Sequence, residues 1–274
     1  MSSQAQPIDG NVEPAGPVVV GYLQGATGDA ALACAAEEAR LRQTNLVVMH
    51  QLVGAQAPDR YGPDAGSPQP IRAEMDRLLS AAQAAAPDVQ HVDVKVITAP
   101  IAEELILASA TADLIVLGVT TRNRVTAAMF DTVPRTVVRA AHCPVMLVGA
   151  TGDRGVRLVC GVDRAPASVA ALLWAATEAQ RRRTSVLVVE VVDRRHPGPE
   201  EDLHTWVHRC LPPSEIPITC AQHSGSAANV LTTVAAGQEA LLVVGSHNSG
   251  SHHPSTVTHS VTAQHDVPVV VVPG

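Results

Sequence analysis

The chain states one order of secondary-structure signals twice, and that repeat limits what it can fold into. Val18-Val-Val-Gly-Tyr-Leu23 and Arg157-Leu-Val-Cys-Gly-Val-Asp163 each read as a short strand ending in a turn. The Ala-rich helix formers Asp29–Arg40 and Ser168–Ala179 follow, then the apolar strands Asn45–His50 and Ser185–Glu190. Third strands are expected at Val92–Ile97 and Ile216–Cys220, each with a helix after it, Ile101–Ala110 and Ala227–Ala236. Fourth strands fall at Asp113–Gly118 and Ala240–Gly245, and fifth strands at Cys143–Val148 and Val267–Val271. Continuous aliphatic strands alternating with helices call for a parallel sheet covered on both faces. The expected class is therefore α/β, with two tandem doubly wound five-stranded parallel-sheet domains.

The boundaries expected from this pattern are a polar tail over 1–16, a first domain over 17–149, a linker over 150–155 and a second domain over 156–274. The join is marked by Gly149-Ala-Thr-Gly-Asp-Arg-Gly155. A terminal strand of a sheet is an edge that must be covered, so the fifth strands, Pro144–Val148 and Pro268–Val272, are expected to pack together as an intramolecular pseudo-dimer. A homodimer is also compatible with the sequence. The copies diverge most between strands two and three. The first has a loop over Ala57–Pro70 and a helix over Ile71–Ala86, whereas the second has Asp193–Glu200 and a helix over Glu201–Cys210. In that helix Leu203, Trp206, Val207 and Cys210 recur at helical spacing and are expected to face the core.

Composition excludes several functions. The hydrophobic share is 46%, yet only 2 Trp, 2 Tyr and 1 Phe contribute to it, so platforms for stacking bases are missing. With 19 Lys plus Arg against 26 Asp plus Glu, there is no basic footprint for a polyanion, and nucleic acid is not an expected partner. No apolar run reaches the roughly 18–20 residues of a membrane span, and the first residues lack the charged and apolar regions of a secretion signal. The 5 cysteines, Cys34, Cys143, Cys160, Cys210 and Cys220, are scattered without CxxC spacing, which speaks against a disulfide framework or a structural zinc site. A cytoplasmic location is expected.

The element order, the repeat, and above all the closing segments Asp131-Thr-Val-Pro-Arg-Thr-Val-Val-Arg-Ala-Ala-His-Cys-Pro-Val145 and Ser255-Thr-Val-Thr-His-Ser-Val-Thr-Ala-Gln-His-Asp-Val-Pro-Val269 resemble the universal stress protein family. The resemblance runs from about Pro17 to the end, as a tandem two-domain member. It implies a doubly wound fold in which many members hold ATP at the carboxyl ends of the strands and others bind no nucleotide. Nucleotide-binding members carry an Asp two residues after the Gly of strand one and a G-x2-G-x9-G-(S/T) loop after strand four. Glycines there let backbone N–H groups close on phosphate oxygens at a helix N-terminus.

Set against that pattern, the first copy has Leu23 at the acidic position, keeps Gly118, has Thr121 and Asp131 at the second and third glycines, and keeps a hydroxyl at Thr132. Asp131 reads as a helix N-cap and would set a carboxylate against phosphate; Arg122 and Arg124 could offset the missing backbone contacts by binding phosphate directly, though exposed loop arginines are ordinarily solvated. The second copy has Asp163 at the acidic position, Gly245 at the first glycine and Asn248, which tolerates a left-handed backbone, at the second. Its loop is three residues short and reaches Ser255-Thr256 where Gly-Ser is wanted. The expected cofactor-binding residues are thus Asp163, Gly245, Asn248, Ser255 and Thr256, with Gly118 and Thr132 the remnant of an inactive first site. ATP or AMP is the candidate ligand of the second domain, and no cofactor is otherwise called for.

His247, His252, His253, His259 and His265 crowd the end of the second copy, with His223 at the tip of strand three. They read as a polar exposed loop lacking carboxylate or thiolate at ligand spacing, and no metal site is expected. His204 and His208, one helical turn apart, lack a third partner. No HExxH, GxSxG or Walker loop is present. The expectation is a non-enzymatic tandem universal stress protein with degenerate adenine-nucleotide sites, acting through ligand sensing or a protein partner the sequence does not identify. The alternatives are a weak ATP-binding or ATP-hydrolysing protein of the adenine-nucleotide α-hydrolase-like group, and a scaffold whose sites are both dead.

Overall fold

The computed structural model describes residues 15–52, 68–119, 132–150, 157–192, 201–213, 215–246 and 267–274. The first half comprises β1 (Val18–Tyr22), α1 (Ala26–Arg42), β2 (Leu46–Gln51), α2 (Pro68–Ala85), β3 (Val92–Ile97), α3 (Ile101–Ala108), β4 (Leu114–Gly118), α4 (Thr132–Ala140) and β5 (Val145–Val148). The second comprises β6 (Arg157–Val162), α5 (Pro166–Arg182), β7 (Val186–Val192), α6 (Leu203–Cys210), β8 (Ile218–Ser224), α7 (Ala227–Gly237), β9 (Ala240–Ser246) and β10 (Val269–Pro273). The linker, the loops 53–67 and 193–200, and the segments 120–131 and 247–266 lie outside the described residues.

The strands form one ten-stranded sheet in the order β3-β2-β1-β4-β5-β10-β9-β6-β7-β8. Every pairing within a half is parallel, and helices cover both faces, as parallel strands require. The halves join through the antiparallel pair β5–β10, with Val269 opposite Leu147, Val270 opposite Met146 and Val271 opposite Val145. The expected contact of fifth strands is therefore a continuous backbone ladder. Ten strands make one sheet out of what the sequence presents as two.

Alternation along the strands sorts the side chains into two apolar layers. One holds Val18, Val20, Met146, Val148, Val270 and Val272 under α1, α2, α5 and α6; the other holds Val19, Val145, Leu147, Val269 and Val271 under α3, α4 and α7. Both layers run across the join. Ala31, Ala35 and Ala39 of α1 and Ala171, Ala175 and Ala179 of α5 are all fully buried, so small side chains bring the helices close enough to the sheet to exclude water without aromatic filler. Leu203, Trp206 and Val207 of α6 are buried, as their spacing predicts.

Boundaries shift for local reasons. The fifth strands begin after Pro144 and Pro268 rather than before them, because proline has no N–H for a ladder; their carbonyls instead accept from Ile115 and Leu242, both at 3.0 Å. The third strand of the second half runs over Ile218–Ser224, beyond the expected Cys220, because the outer strand of the sheet carries polar residues Gln222, His223 and Ser224 that hide it from an apolar-run search.

Candidate functional site

The carboxyl ends of the central strands β1 and β4, and β6 and β9, are where the resemblance directs attention. In an open parallel sheet, the crevice for ligands lies beyond these ends. Gly118 ends β4 and Gly245 is the penultimate residue of β9. A Cβ on Gly118 would stand 2.7 Å from the Thr27 carbonyl oxygen, and one on Gly245 would stand 2.3 Å from the Ala167 carbonyl oxygen. The first turns of α1 and α5 press on these strands at equivalent positions, so both glycines have a packing reason to be glycine whatever they bind.

Asp163 follows the last residue of β6 and is exposed. Its Oδ1 accepts from the Ala165 N–H at 3.0 Å and from the Ser168 hydroxyl at 2.5 Å, and its own N–H donates to Ser168 Oγ at 3.0 Å. This closed turn leads into α5, whose first turn carries Pro166, a residue preorganised for a helix start. Beside it, Gly161 pairs with Val244, so Asp163 and Ser246 leave neighbouring strands at the same level. Ser246 is 4% exposed, and its Oγ has no hydrogen-bond partner among the described residues. A buried unpaired hydroxyl is uncommon and marks a place where a polar group can be received. The sequence offers no signal for Ser246 beyond its position after Gly245.

Arg164 adopts φ 63°, a left-handed conformation rare for a long side chain, and turns its guanidinium onto Glu190 at the end of β7's buried run. The pair is bidentate, Nε to Oε1 at 2.6 Å and Nη2 to Oε2 at 2.8 Å, while Nη1 donates to the Glu201 carbonyl at 2.6 Å. Gln222 donates to Glu190 Oε2 at 2.6 Å, and the Trp206 ring lies 5.9 Å from the guanidinium carbon. Burial works against the Glu190 charge, but the hydrogen bonds from Arg164 and Gln222 outweigh it and hold the carboxyl below its usual range. None of these partners was picked out by sequence; the one visible sign was a glutamate ending the run Val186-Leu-Val-Val-Glu190.

The first copy fills the equivalent corner differently. Leu23 stands in place of Asp163 and is 64% exposed. The Tyr22 hydroxyl donates to Asp29 at 2.8 Å, and His50 Nδ1 donates to the Tyr22 carbonyl at 3.0 Å. Glu74 on α2 accepts from Gln24 at 3.2 Å and from Arg77 at 2.7 and 3.0 Å, and lies 3.4 Å from His50 Nε2. The Arg77 hydrogen bonds hold the Glu74 carboxyl below its usual range. Thr132, the expected hydroxyl of this copy, opens α4 and is exposed. Asn248, Ser255 and Thr256, together with Thr121, Arg122, Arg124, Asp131 and the histidines from His247 to His265, lie outside the described residues.

The described residues offer no activated nucleophile. Burial pushes the thiols of Cys143 and Cys160 up to about 12. No group of three or more His, Cys, Asp or Glu gathers at metal-binding distance among the described residues, and His204 and His208 face only each other, at 3.1 Å between their Nε2 atoms. An open cleft of about 780 Å³ lies at the opposite, amino edge of the sheet, between Arg183, Ser185, Ile216 and Pro217, away from Asp163 and Gly245. No helix of the described residues is long and apolar enough to cross a membrane.

Comparison with known proteins agrees with this framework. The family model described as the universal stress protein family matches residues 15–149. A universal stress protein from Archaeoglobus fulgidus aligns with a TM-score of 0.71 at 15% identity, over 93% of this chain and 98% of its own. A protein of unknown function from Pseudomonas aeruginosa aligns with a TM-score of 0.57 at 13% identity, over 95% of this chain and 93% of its own. At these identities the alignments speak for the fold, and the first-half match carries the family. The first half thus belongs to the universal stress protein family, and the second half repeats its plan in tandem within the same sheet.

Proposed function

We propose that the protein is a non-catalytic, ligand-sensing stress-response module in which only the second half holds an adenine nucleotide, by its adenosine end. The observation that carries this reading is Asp163. Its Oδ1 is committed to the turn before α5, which fixes the carboxylate, and the group stays exposed at the strand edge beside the unpaired Ser246 hydroxyl. A fixed carboxylate with a free oxygen is a ready acceptor for ribose hydroxyls or an amine. Gly245 supplies the close strand–helix approach, and Asn248, Ser255 and Thr256 remain the candidates for the phosphate side. Leu23 offers no such acceptor, which favours an inactive first copy despite Gly118 and Thr132. With Arg164 tied to Glu190 and the thiols of Cys143 and Cys160 held neutral, the described residues supply no group to activate water there, and the reading is of binding without turnover.

The test is calorimetric titration of the intact protein with ATP, AMP and adenosine, alongside Asp163→Asn, which keeps the Oδ1 acceptor of the turn while removing the charge. AMP and adenosine should bind about as well as ATP, and the variant should weaken all three roughly tenfold, the size expected for one charge-assisted hydrogen bond. No heat with any ligand, or equal affinity in the variant, removes the nucleotide reading and leaves a scaffold.

A further inference from the structure

On the face of the sheet covered by α1 and α5, four charged side chains meet at the join of the halves. Glu38 and Glu178 are each 1% exposed, and Arg42 is 7% exposed. Arg42 pairs with Glu38 within α1 and reaches Glu178 across the join at 2.7 Å. Arg182 repeats this from the other side, pairing with Glu178 within α5 at 3.0 Å and with Glu38 across the join. Each carboxylate thus receives both arginines, one oxygen to each, and Arg181 adds a further contact to Glu178 at 3.0 Å. The same Glu-x3-Arg spacing on both helices generates the square, and neither pair had a role in the reading of the sequence.

Buried ion pairs are weak sources of stability, because desolvation cancels much of the attraction, but separating such charges from their partners is costly. Their value lies in what they forbid. The β5–β10 ladder joins Val-Met-Leu-Val to Val-Val-Val-Val-Pro, side chains so alike that a slip of two residues would keep every face correct. Such a slip moves one half by about 7 Å along the strand. It would carry Arg42 away from Glu178 and Arg182 away from Glu38 inside an otherwise apolar layer. We infer that the Glu38–Arg42–Glu178–Arg182 square sets the register in which the halves accept each other, and that the surface around it fits only a partner helix bearing glutamate and arginine one turn apart. In the intact chain that partner is the other half.

The test uses the full chain with Leu147→Cys and Val269→Cys, which stand opposite each other in the observed register on the face away from the square. In this background, inverting one half with Glu38→Arg and Arg42→Glu places like charges across the join. Inverting the second half as well, with Glu178→Arg and Arg182→Glu, restores opposite charges. The single-half inversion should lower oxidative cross-linking between positions 147 and 269 roughly tenfold, and the four-residue inversion should recover it. If the single-half inversion does not fold, recovery of both fold and cross-link in the four-residue inversion carries the inference. Cross-linking unchanged by the single-half inversion, or not recovered by the four-residue one, overturns it.

Discussion

The carboxyl edges of the two halves share a backbone plan and differ in nearly every polar group. In both, a glycine at the end of a central strand lies against the first turn of the half's first helix, Gly118 against Thr27 of α1 and Gly245 against Ala167 of α5. In both, the buried run of the strand next to the first closes on a polar residue, His50 in β2 or Glu190 in β7, that is hydrogen-bonded. The first edge then ties itself to α2 through Glu74, and the second to the start of α6 through Arg164 and the Glu201 carbonyl. What is kept is what lets helix and strand approach. What has changed is the set of groups that decide whether an outside molecule has anything to bind.

The sharpest way to break this comparison is at its two buried polar residues. Glu190→Leu leaves the Arg164 guanidinium without its carboxylate and should cost about 3 kcal/mol, whereas His50→Leu, which loses the hydrogen bond to the Tyr22 carbonyl, should cost about 1 kcal/mol. Urea denaturation of both variants reads the difference, and equal losses would mean that the corners are energetically alike. Next come the glycines: Gly245→Ala and Gly118→Ala should each cost about 2 kcal/mol through the forced shift of a helix backbone, with or without nucleotide. A Gly245→Ala protein of undiminished stability that has lost only ligand affinity would return that glycine to the binding site alone.

Acid separates the edges less strongly. The Glu190 carboxyl titrates below its ordinary value of 4.5 in the folded protein, so its stabilising contribution is complete above that value and is lost as pH falls through the folded one. The stability gap between the parent and Glu190→Gln, present at about pH 7, should therefore narrow as pH falls below the ordinary carboxylate range, and a gap that does not change with acid contradicts the charged pairing. The smallest effect is expected from Tyr22→Phe, which removes the hydrogen bond to Asp29 at a half-open site and should cost about 1 kcal/mol or less in the same denaturation measurement.

Much of the architecture was legible because strands buried on both faces leave unbroken aliphatic runs, such as Leu114–Gly118 and Val269–Val272. The join through the fifth strands followed from asking what covers an edge. The limits of β8 did not, since an outer strand can carry Gln222 and His223 and look like a loop. Asp163 could be singled out because it ends a strand, but its partners could not. Arg164 finds Glu190 only through the register of β6 on β7, and Glu38 finds Arg182 only through the way the halves meet. Local pattern names the residues at an edge; the contacts across strands and halves are long-range and wait for the fold.

Because β5 and β10 run in opposite directions, the parallel strands of one half point away from those of the other. Asp163 and Gly245 therefore open at one end of the molecule, and Leu23 and Gly118 at the other. The protein is two-headed: a small molecule seated at one end cannot touch the other, and two such molecules would never compete for space. A macromolecule that reads both ends must either span the length of a strand layer or arrive as two copies, one from each direction.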